Sequence, residues 1–256
     1  MTNSLICIMA AMKEEAALIK GRMKISDRLA FGHAKGFLGT WLGRQVLVVQ
    51  SGVGKKRARD VFEKVLETYS PALTISCGLA GGLQTDLKLG DVLIADTVID
   101  VAYRANDKDY AINTGLPLNA IEIFKAKEMS SAFSFAVHSG PLITSDEAVC
   151  IPEGKKELGI RSAALGVDME TSALLQVANQ RSVSLVSIRV ISDSVDQELA
   201  NFAPCFDENG NVSKMKAGWY ILTNPSLIPI AVSLKSQIPK AVKNMTEFLE
   251  KFILNL

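Results

Sequence analysis

The stretch "VLVVQSGVGKKRARDVFEKVLETYSPALTISCGLAGG", residues 46–82, contains two apolar runs on either side of a helical pattern. Residues 46–50 and 73–77 are short and rich in Val, Leu and Ile, which is typical of strands buried on both faces. Between them, residues 55–69 repeat apolar side chains at helical spacing. The stretch therefore predicts a strand, a glycine turn, a helix and a second strand.

The same alternation of short apolar runs and helical patterns continues on both sides of this stretch. It predicts an α/β sandwich with a largely parallel or mixed central sheet, in which functional sites collect at the carboxyl ends of the strands. We expect one domain over residues 1–256, with an extended C-terminal segment, residues 197–256, whose first part (197–238) is broken by prolines and irregular. Further strands are expected at residues 5–10, 91–101, 135–143 and 185–191, and further helices at residues 169–180 and about 240–254.

The composition excludes several classes of partner. The 256 residues include 28 basic and 27 acidic side chains, and a net charge of +1 gives no field that would gather nucleic acid. No apolar segment reaches the roughly 20 residues of a bilayer span. The cysteines lie too far apart for a zinc site and indicate free thiols in the cytoplasm, so we expect a small-molecule substrate and no metal. These cysteines are Cys7, Cys77, Cys150 and Cys205.

Two glycine-rich segments follow apolar runs, and neither has the features of a phosphate-binding motif. In "SGVGKKRA", residues 51–58, Arg57 stands where a dinucleotide fingerprint has its third glycine, and a Walker loop would need a glycine at Val49 and a hydroxyl at Lys56. In "CGLAGG", residues 77–82, no cation is adjacent, so the segment suits a neutral sugar or a water. A plain turn is the alternative for both segments.

Three acids, Glu15, Glu170 and Asp193, lie where predicted strands end or helices begin. Each has a simple alternative explanation: a charge on a solvated helix face, a partner for a helix dipole, or an N-cap. Together they fit cleavage of a purine N-glycosidic bond, which requires a general acid, a carboxylate for the sugar and a general base. Asp193 follows a buried strand, where burial or a hydrogen bond would keep a carboxyl group protonated near neutral pH.

Further motifs run in a fixed order along the chain. They are "AAMKEEAALI" (10–19), "SGVGKKRA" (51–58), "CGLAGGL" with "LKLGDVLIAD" (77–96), "GVDMETSALLQVA" (166–178) and "SIRVISDSVD" (187–196). In this order they resemble the nucleoside phosphorylase and nucleosidase superfamily, and within it the 5'-methylthioadenosine/S-adenosylhomocysteine nucleosidases. The resemblance implies a three-layer αβα sandwich with a mixed central sheet, no cofactor, and a homodimer or hexamer in which residues 103–110 could complete a neighbouring site.

The resemblance also implies a role for each of the three acids. Asp193 would protonate N7 of adenine, with Ser192 steadying its side chain. Glu15 would activate the attacking water with the help of Arg189. Glu170 would bind the ribose hydroxyls.

The same motifs imply the rest of a substrate pocket. Met169 would lie against the sugar, Met12 would line the sugar pocket, and Val149 and its backbone would bind the base. The glycine segment would lie beside the nucleophile and the sugar through Gly78, Leu79, Ala80 and Gly81.

Three positions depart from the patterns of the superfamily. Ser76 stands where the phosphate-using bacterial purine nucleoside phosphorylases have an arginine, which favours hydrolysis, with phosphorolysis as the alternative. Leu79 replaces a serine that the nucleosidases have at the water site. Ala148 falls at about the position of the aromatic residue that stacks on adenine in those enzymes.

The C-terminal segment has a resemblance of its own. Residues 207–252 exceed the corresponding part of the compact nucleosidases and resemble the hopanoid-associated phosphorylases, which implies removal of adenine from adenosylhopane. An apolar mouth with Leu79, Ala148 and Trp219 would suit a greasy 5' substituent, and a lipid substrate would permit peripheral contact with a membrane. The alternative is that this segment only extends the core.

Functions of other classes stay open on the sequence alone. A non-catalytic nucleoside-binding protein on the same fold would have no use for all three acids. A dinucleotide oxidoreductase conflicts with Arg57. A Ser/His/Asp hydrolase is not supported, because the chain has no GxSxG motif near His33 or His138.

Overall fold

The computed structural model describes residues 4–103, 110–129, 132–201, 203–205, 207–210 and 213–256, which form ten strands and seven α-helices. The strands are β1 Ile6–Ala10, β2 Lys24–Phe31, β3 Ala34–Trp41, β4 Arg44–Gln50, β5 Leu73–Gly82, β6 Val92–Val101, β7 Leu116–Pro117, β8 Val137–Ser145, β9 Gly166–Asp168 and β10 Leu185–Asp193. The helices are α1 Lys13–Arg22, α2 Lys55–Thr68, α3 Ala120–Glu128, α4 Pro152–Ser162, α5 Thr171–Gln180, α6 Lys214–Thr223 and α7 Ile228–Leu254.

The strands belong to one mixed sheet, part of which closes on itself. β5 pairs in parallel with β1 on one side and with β10 on the other. From β10 the pairing continues through β6, β8 and β9 and returns to β5, so these five strands form a ring. β1, β4, β3 and β2 extend from β5 as an open sheet. The expected mixed sheet is confirmed, whereas nothing in the sequence pattern indicated the ring.

Helices cover both faces of the sheet. α1 packs against α7, and α2 packs against α5. Every residue of β10 is buried, and both α5 and α7 contact this strand, so the two helix pairs lie on opposite faces. This arrangement is the expected three-layer αβα sandwich. Fully buried side chains such as Ile8, Phe62, Leu93 and Phe248 fill the space between the layers.

Apolar runs in the sequence predict most of the strands, but they do not predict the outer hairpin formed by β2 and β3. The runs at residues 5–10, 46–50, 91–101, 135–143 and 185–191 correspond to β1, β4, β6, β8 and β10. β2 and β3 were missed, and in β2 only Phe31 is buried, so no apolar run marks that strand. All four cysteines are free thiols, as the sequence indicated.

The glycine segment, residues 78–82, is a strand and not the turn that the sequence predicts. β5 continues to the end of the segment because both of its edges stay paired. Gly78 lies opposite Arg189 of β10, and Gly81 lies opposite Val167 of β9. Glycine inside a strand often marks a close approach of other groups to the backbone, and that is its use here.

The irregular conformation expected for residues 197–238 is wrong for residues 214–238. Residues 214–223 form α6, and α7 starts at Ile228, well before its expected first residue. The prolines that suggested breaks are accommodated: Pro229 lies in the first turn of α7, where a missing N–H costs little, and Pro239 lies inside the helix. Across the described ranges, no helix combines the length and the apolar character that a bilayer span requires.

The two halves of α7 differ in their contacts, which gives a test of stability. Phe248 is fully buried, whereas Val232 is 62% exposed. Phe248→Ala should lower the free energy of unfolding by about 3–5 kcal/mol, because it leaves a cavity in the core. Val232→Ala should change it by less than about 0.5 kcal/mol. Urea denaturation followed by circular dichroism measures both values, and equal losses would contradict the described packing of α7.

Candidate active site

Glu15 is fixed at the junction of β1 and α1. It is the third residue of α1, and its Oε2 accepts a hydrogen bond from the N–H of Met12 at 2.8 Å. Its Oε1 accepts a second hydrogen bond from the N–H of Leu79 at 2.9 Å. Glu15 is only 3% exposed, so it is not a charge on a solvated helix face. Burial raises the pKa of this carboxyl group, although both N–H donors and the charge of Arg189 oppose the rise.

β10 supplies Arg189, Ser192 and Asp193 from its carboxyl end. The pairing register shifts between Ile191 and Asp193, and such an irregularity re-aims the side chains that follow it. Asp193 is buried, and its Oδ1 accepts a hydrogen bond from Ser192 Oγ at 2.6 Å. Ser192 is therefore placed to orient the carboxyl group of Asp193.

Asp193 has a further partner that the sequence motifs did not reveal. Lys155 of α4 is fully buried, and its Nζ donates to Asp193 Oδ2 at 2.6 Å. The same Nζ donates to the carbonyl oxygens of Ser194 at 3.0 Å and Gln197 at 2.7 Å. Asp193 is buried, as the sequence indicated, and a buried ammonium group faces it. Lys155 belongs to the charged run "EGKKEL", residues 153–158, and a run of this kind is typical of a solvent-exposed helix face.

Arg189 is the centre of a second buried polar cluster. Its Nη2 donates to Asp168 Oδ2 at 2.6 Å, to Thr171 Oγ1 at 2.6 Å and to Ser76 Oγ at 2.7 Å. Its ion-pair partner is thus Asp168, to which the sequence gave us no reason to assign a role. Ser76, the position that distinguishes the chain from the phosphate-using enzymes, helps to hold Arg189 in place.

Glu170 lies at the N-cap of α5, and its side chain is hydrogen-bonded to the glycine-rich turn before α2. Its Oε1 accepts a hydrogen bond from the N–H of Gly54, the N-cap of α2, at 2.8 Å. The turn of residues 51–58 therefore binds a carboxyl group of the protein itself, at the kind of helix N-terminus that binds phosphate elsewhere. Burial, and after it the charge of Asp168, raises the pKa of Glu170 to about 8, although Arg189 opposes this rise.

Two glycines of β5 allow these side chains to lie against its backbone. A Cβ atom at Gly78 would lie 2.7 Å from Glu15 Oε1 and 2.8 Å from Arg189 Nη1, closer than real Cβ atoms approach other groups. A Cβ atom at Gly81 would lie 3.1 Å from Asp193 Oδ2. The sequence suggested that these glycines make room for a ligand, and they make room for charged side chains of the protein.

The three acids meet at the carboxyl end of β5. Glu15 binds the backbone of Leu79, Asp193 lies against Gly81, and the charges of Glu15 and Glu170 are close enough to interact. The structure thus brings together side chains that are far apart in the sequence. Of the other predicted pocket residues, Met12, Leu79 and Met169 are half-buried, Ala80 and Val149 are buried, and Ala148 is exposed.

Val149 packs in a second apolar cluster that includes Tyr103, Tyr110 and Val167. The two tyrosine rings contact each other edge to face, with their centroids 5.3 Å apart. Between these tyrosines, residues 104–109 of the segment expected to reach a neighbouring subunit lie outside the described residues.

Comparison with known proteins assigns the chain to a family. Residues 5–217 match the family described as "Phosphorylase superfamily". The chain belongs to the phosphorylase superfamily. The 5'-methylthioadenosine/S-adenosylhomocysteine nucleosidase of Listeria welshimeri is 32% identical to it over 207 residues, which cover 75% of this chain and 88% of that relative.

Solved structures with the same fold cover nearly all of this superfamily member. The 5'-methylthioadenosine/S-adenosylhomocysteine nucleosidase from Neisseria meningitidis, in complex with methylthio-immucillin-A, has a TM-score of 0.78 at 22% identity and covers 99% of this chain and 100% of its own. The futalosine hydrolase of Helicobacter pylori has a TM-score of 0.78 at 19% identity, with coverage of 99% and 98%. These likenesses establish the nucleoside phosphorylase-like fold.

Gly78→Ala tests the contact between β5 and the charged side chains. The added methyl group would displace Glu15 and Arg189, so the free energy of unfolding should fall by about 1–3 kcal/mol. Gly21→Ala is the matched control, because Gly21 is exposed in α1 and nothing lies within 4 Å of a Cβ atom there. This control should raise stability by up to about 1 kcal/mol. Equal thermal unfolding of the two variants would contradict the close packing at Gly78.

The raised pKa of Glu170 predicts a pH dependence of stability. In the unfolded chain a glutamate has a pKa of about 4.3, so the folded protein holds this proton more tightly. The resulting stabilisation is complete below the unfolded pKa and is lost as the pH rises through about 8. Glu170→Gln removes this loss, so its stability relative to the parent protein should rise by on the order of 4 kcal/mol between about pH 5 and about pH 9. Urea denaturation across this range measures the difference, and a constant difference would refute the assignment.

Proposed function

We propose that the chain is a cofactor-free nucleosidase that hydrolyses the N-glycosidic bond of a 5'-substituted adenosine and releases adenine. The observation that carries the proposal is that Glu15 and Asp193, both buried, lie against the end of β5, with the buried Glu170 close enough to Glu15 for their charges to interact. Relatives named as nucleosidases, from Listeria welshimeri among others, support the same reaction. A protein that only bound nucleosides would have no reason to bury three carboxyl groups, since each burial costs solvation free energy.

Asp193 is the proposed acid for the departing base. As the bond between C1' of the ribose and N9 breaks, its electron pair moves into adenine, and a proton delivered to N7 neutralises the base. Asp193 hands over this proton, and Ser192 Oγ at 2.6 Å holds the carboxyl group in its orientation. Lys155, 2.6 Å from the other carboxyl oxygen, stabilises the carboxylate that remains.

Glu15 is the proposed base for the attacking water. The water oxygen forms the new bond to C1', and one water proton passes to the Glu15 carboxylate. Its raised pKa makes this carboxylate a better proton acceptor than an exposed glutamate. The N–H groups of Met12 and Leu79 fix the direction in which the carboxylate points. Arg189 supplies the neighbouring positive charge, because its Nη1 and Glu15 Oε1 lie within 3 Å of the same point beside Gly78.

Glu170 is the proposed partner of the ribose hydroxyls. One of its oxygens accepts the hydrogen bond from Gly54, which leaves acceptor capacity for the sugar. Met12 and Met169 contact the sugar, and Val149 with its backbone contacts the base. Gly78, Leu79, Ala80 and Gly81 form the floor between the nucleophile and the sugar.

Water is the proposed nucleophile, with phosphate as the alternative. A phosphate ion needs unpaired cations, but Arg189 is already ion-paired with Asp168 at 2.6 Å. Glu15 and Glu170 also lie close enough to Arg189 for their charges to interact with it. An incoming anion would meet these acids, whereas a neutral water would not be repelled.

The proposed 5' substituent is apolar, as in methylthioadenosine, in part of S-adenosylhomocysteine, or in a lipid of the adenosylhopane type. Leu79 is half-buried beside Glu15, where a bulky apolar group would contact it. Adenosylhopane is included in this substrate class because residues 207–252 resemble the hopanoid-associated phosphorylases.

We also propose a homodimer or hexamer. This proposal follows from the resemblance to the superfamily, in which a neighbouring subunit often closes the pocket.

Asp193→Asn tests the reaction and the acid together. Adenine released from a panel of 5'-modified adenosines is quantified by chromatography, with and without phosphate. The parent protein should release adenine at the same rate without phosphate, and the variant should lose about 10²–10⁴-fold in kcat, because an amide cannot give up the proton. Release that requires phosphate would indicate a phosphorylase.

Asp196→Asn is the matched control for this substitution. Asp196 pairs with Lys156 at the surface at 2.6 Å, and its side chain is 65% exposed. It makes the same chemical change three positions along the chain and should leave adenine release unchanged. Equal activity of both variants and the parent protein would mean that Asp193 is not the acid.

A further inference from the structure

Residues 213–240, named here the tail hairpin, form helices that the body of the protein does not bury. The tail hairpin contains α6, the short helix Pro225–Leu227 and the first half of α7. None of its described side chains is buried, and burial along α7 starts at Ala241. Helices of this length are marginal in water without packing. The side chains of the tail hairpin that the structure describes are therefore exposed or only partly buried, Ile238 among the latter.

Large apolar side chains of the tail hairpin face the solvent. Trp219 is 69% exposed and Leu222 is 72% exposed, and they lie three residues apart on one face of α6. Ile228 is 48% exposed and Val232 is 62% exposed, and they lie four residues apart on one face of α7. Exposed apolar side chains on one face of a helix mark an interaction surface.

The charge around this surface has one sign. Residues 209–246 contain five lysines and no acidic residue, whereas the rest of the chain contains 23 basic and 27 acidic side chains. Lys235 and Lys240 are exposed on α7, and Lys235 follows Val232 by one turn. Lysines that follow exposed apolar side chains such as Val232 on a surface helix are typical of helices that lie in the interface of an anionic membrane.

The tail hairpin is held beside the candidate active site. The carbonyl oxygen of Gly210, just before the tail hairpin, accepts a hydrogen bond at 3.3 Å from the N–H of Val53 in the turn that holds Glu170. Gln237 of α7 accepts a hydrogen bond at 3.2 Å from Gln197, whose carbonyl oxygen binds Lys155. A partner bound to this surface would therefore lie close to the site.

We propose that the tail hairpin docks the protein on an anionic membrane surface, with its apolar side chains in the interface and its lysines against acidic headgroups. A second copy of the chain fits less well. Two copies that joined through this surface would be related by a twofold axis, which brings like lysines together with no acidic residue to offset them. The docking goes beyond the proposed function and does not depend on which reaction the site performs.

The two tryptophans of the chain provide the measurement. Trp41 is 2% exposed and Trp219 is 69% exposed, so a change in tryptophan emission on addition of vesicles reports mainly on Trp219. Phosphatidylcholine vesicles with and without phosphatidylserine are added to the full chain, and co-sedimentation is measured in parallel. We expect a blue shift and co-sedimentation with the anionic vesicles only, and both should weaken as the salt concentration rises.

Charge and apolar variants separate docking from unspecific adhesion. Lys235→Gln with Lys240→Gln should weaken the partition into anionic vesicles about 30-fold, at about 1 kcal/mol for each lysine. Lys24→Gln with Lys35→Gln, which removes two exposed lysines of the β2–β3 hairpin, should leave it unchanged. Leu222→Ser should weaken the partition, whereas Ile160→Ser, at a residue that is 84% exposed on α4, should not. Circular dichroism confirms that each variant is folded.

Three outcomes would overturn the proposal. The first is equal partition of the protein into neutral and anionic vesicles. The second is an equal loss of partition in the control variants. The third is a blue shift that appears without vesicles when the protein concentration is raised, together with a dimer in sedimentation equilibrium. The last outcome would assign the surface to a second copy. Adenine release is measured on the same samples without vesicles. Loss of vesicle binding with intact release would refute the docking alone, and the reverse would refute the nucleosidase alone.

Discussion

The backbone of β5 approaches the side chains of α1 and β10 more closely than a strand with Cβ atoms could. At Gly78 the approach brings Glu15 and Arg189 to within 3 Å of the place a Cβ atom would occupy, and at Gly81 it admits Asp193. The rest of the site depends on this approach. Glu15 can accept the N–H of Leu79 only because its carboxyl group lies directly against the strand. The glycines therefore serve the placement of charged groups, and the ring of strands keeps their backbone in position.

Buried charge then divides the site into two unequal parts. At one end Lys155 and Asp193 form a pair in which each charge has a partner, fixed by Ser192. At the other end Arg189 is surrounded by Asp168, Glu15 and Glu170, so acids outnumber the guanidinium. Burial, and after it the charge of Asp168, raises the pKa of Glu170 to about 8, so protonation of this group relieves part of the excess. In the proposed reaction, the ammonium group of Lys155 stabilises the carboxylate that remains after Asp193 has given up its proton, and the acid-rich end favours a neutral nucleophile over an anionic one.

The sequence predicted those parts of the fold and site that local patterns encode. Buried strands such as β1 and β10 appear as apolar runs, and the acids that follow them mark strand ends. Long-range pairing is not encoded in this way. The glycine segment of β5 was interpreted as a turn because its composition is that of a turn, whereas its conformation is set by partners about 110 residues away. Lys155 was missed for the same reason, since its neighbours in sequence are charged and its neighbours in space are carbonyl oxygens and Asp193.

α7 connects the tail hairpin to the core of the protein as one continuous helix. Its second half is fixed in the core by residues such as Met245 and Phe248, and its first half continues past the body of the protein. Pro239 lies at the boundary, where a proline removes one helical hydrogen bond without ending the helix. A surface contact of the first half would therefore orient the whole molecule. Gln237 binds Gln197, and the carbonyl oxygen of Gln197 holds Lys155 in its pair with Asp193, so the segment that faces outward also helps to position the proposed acid.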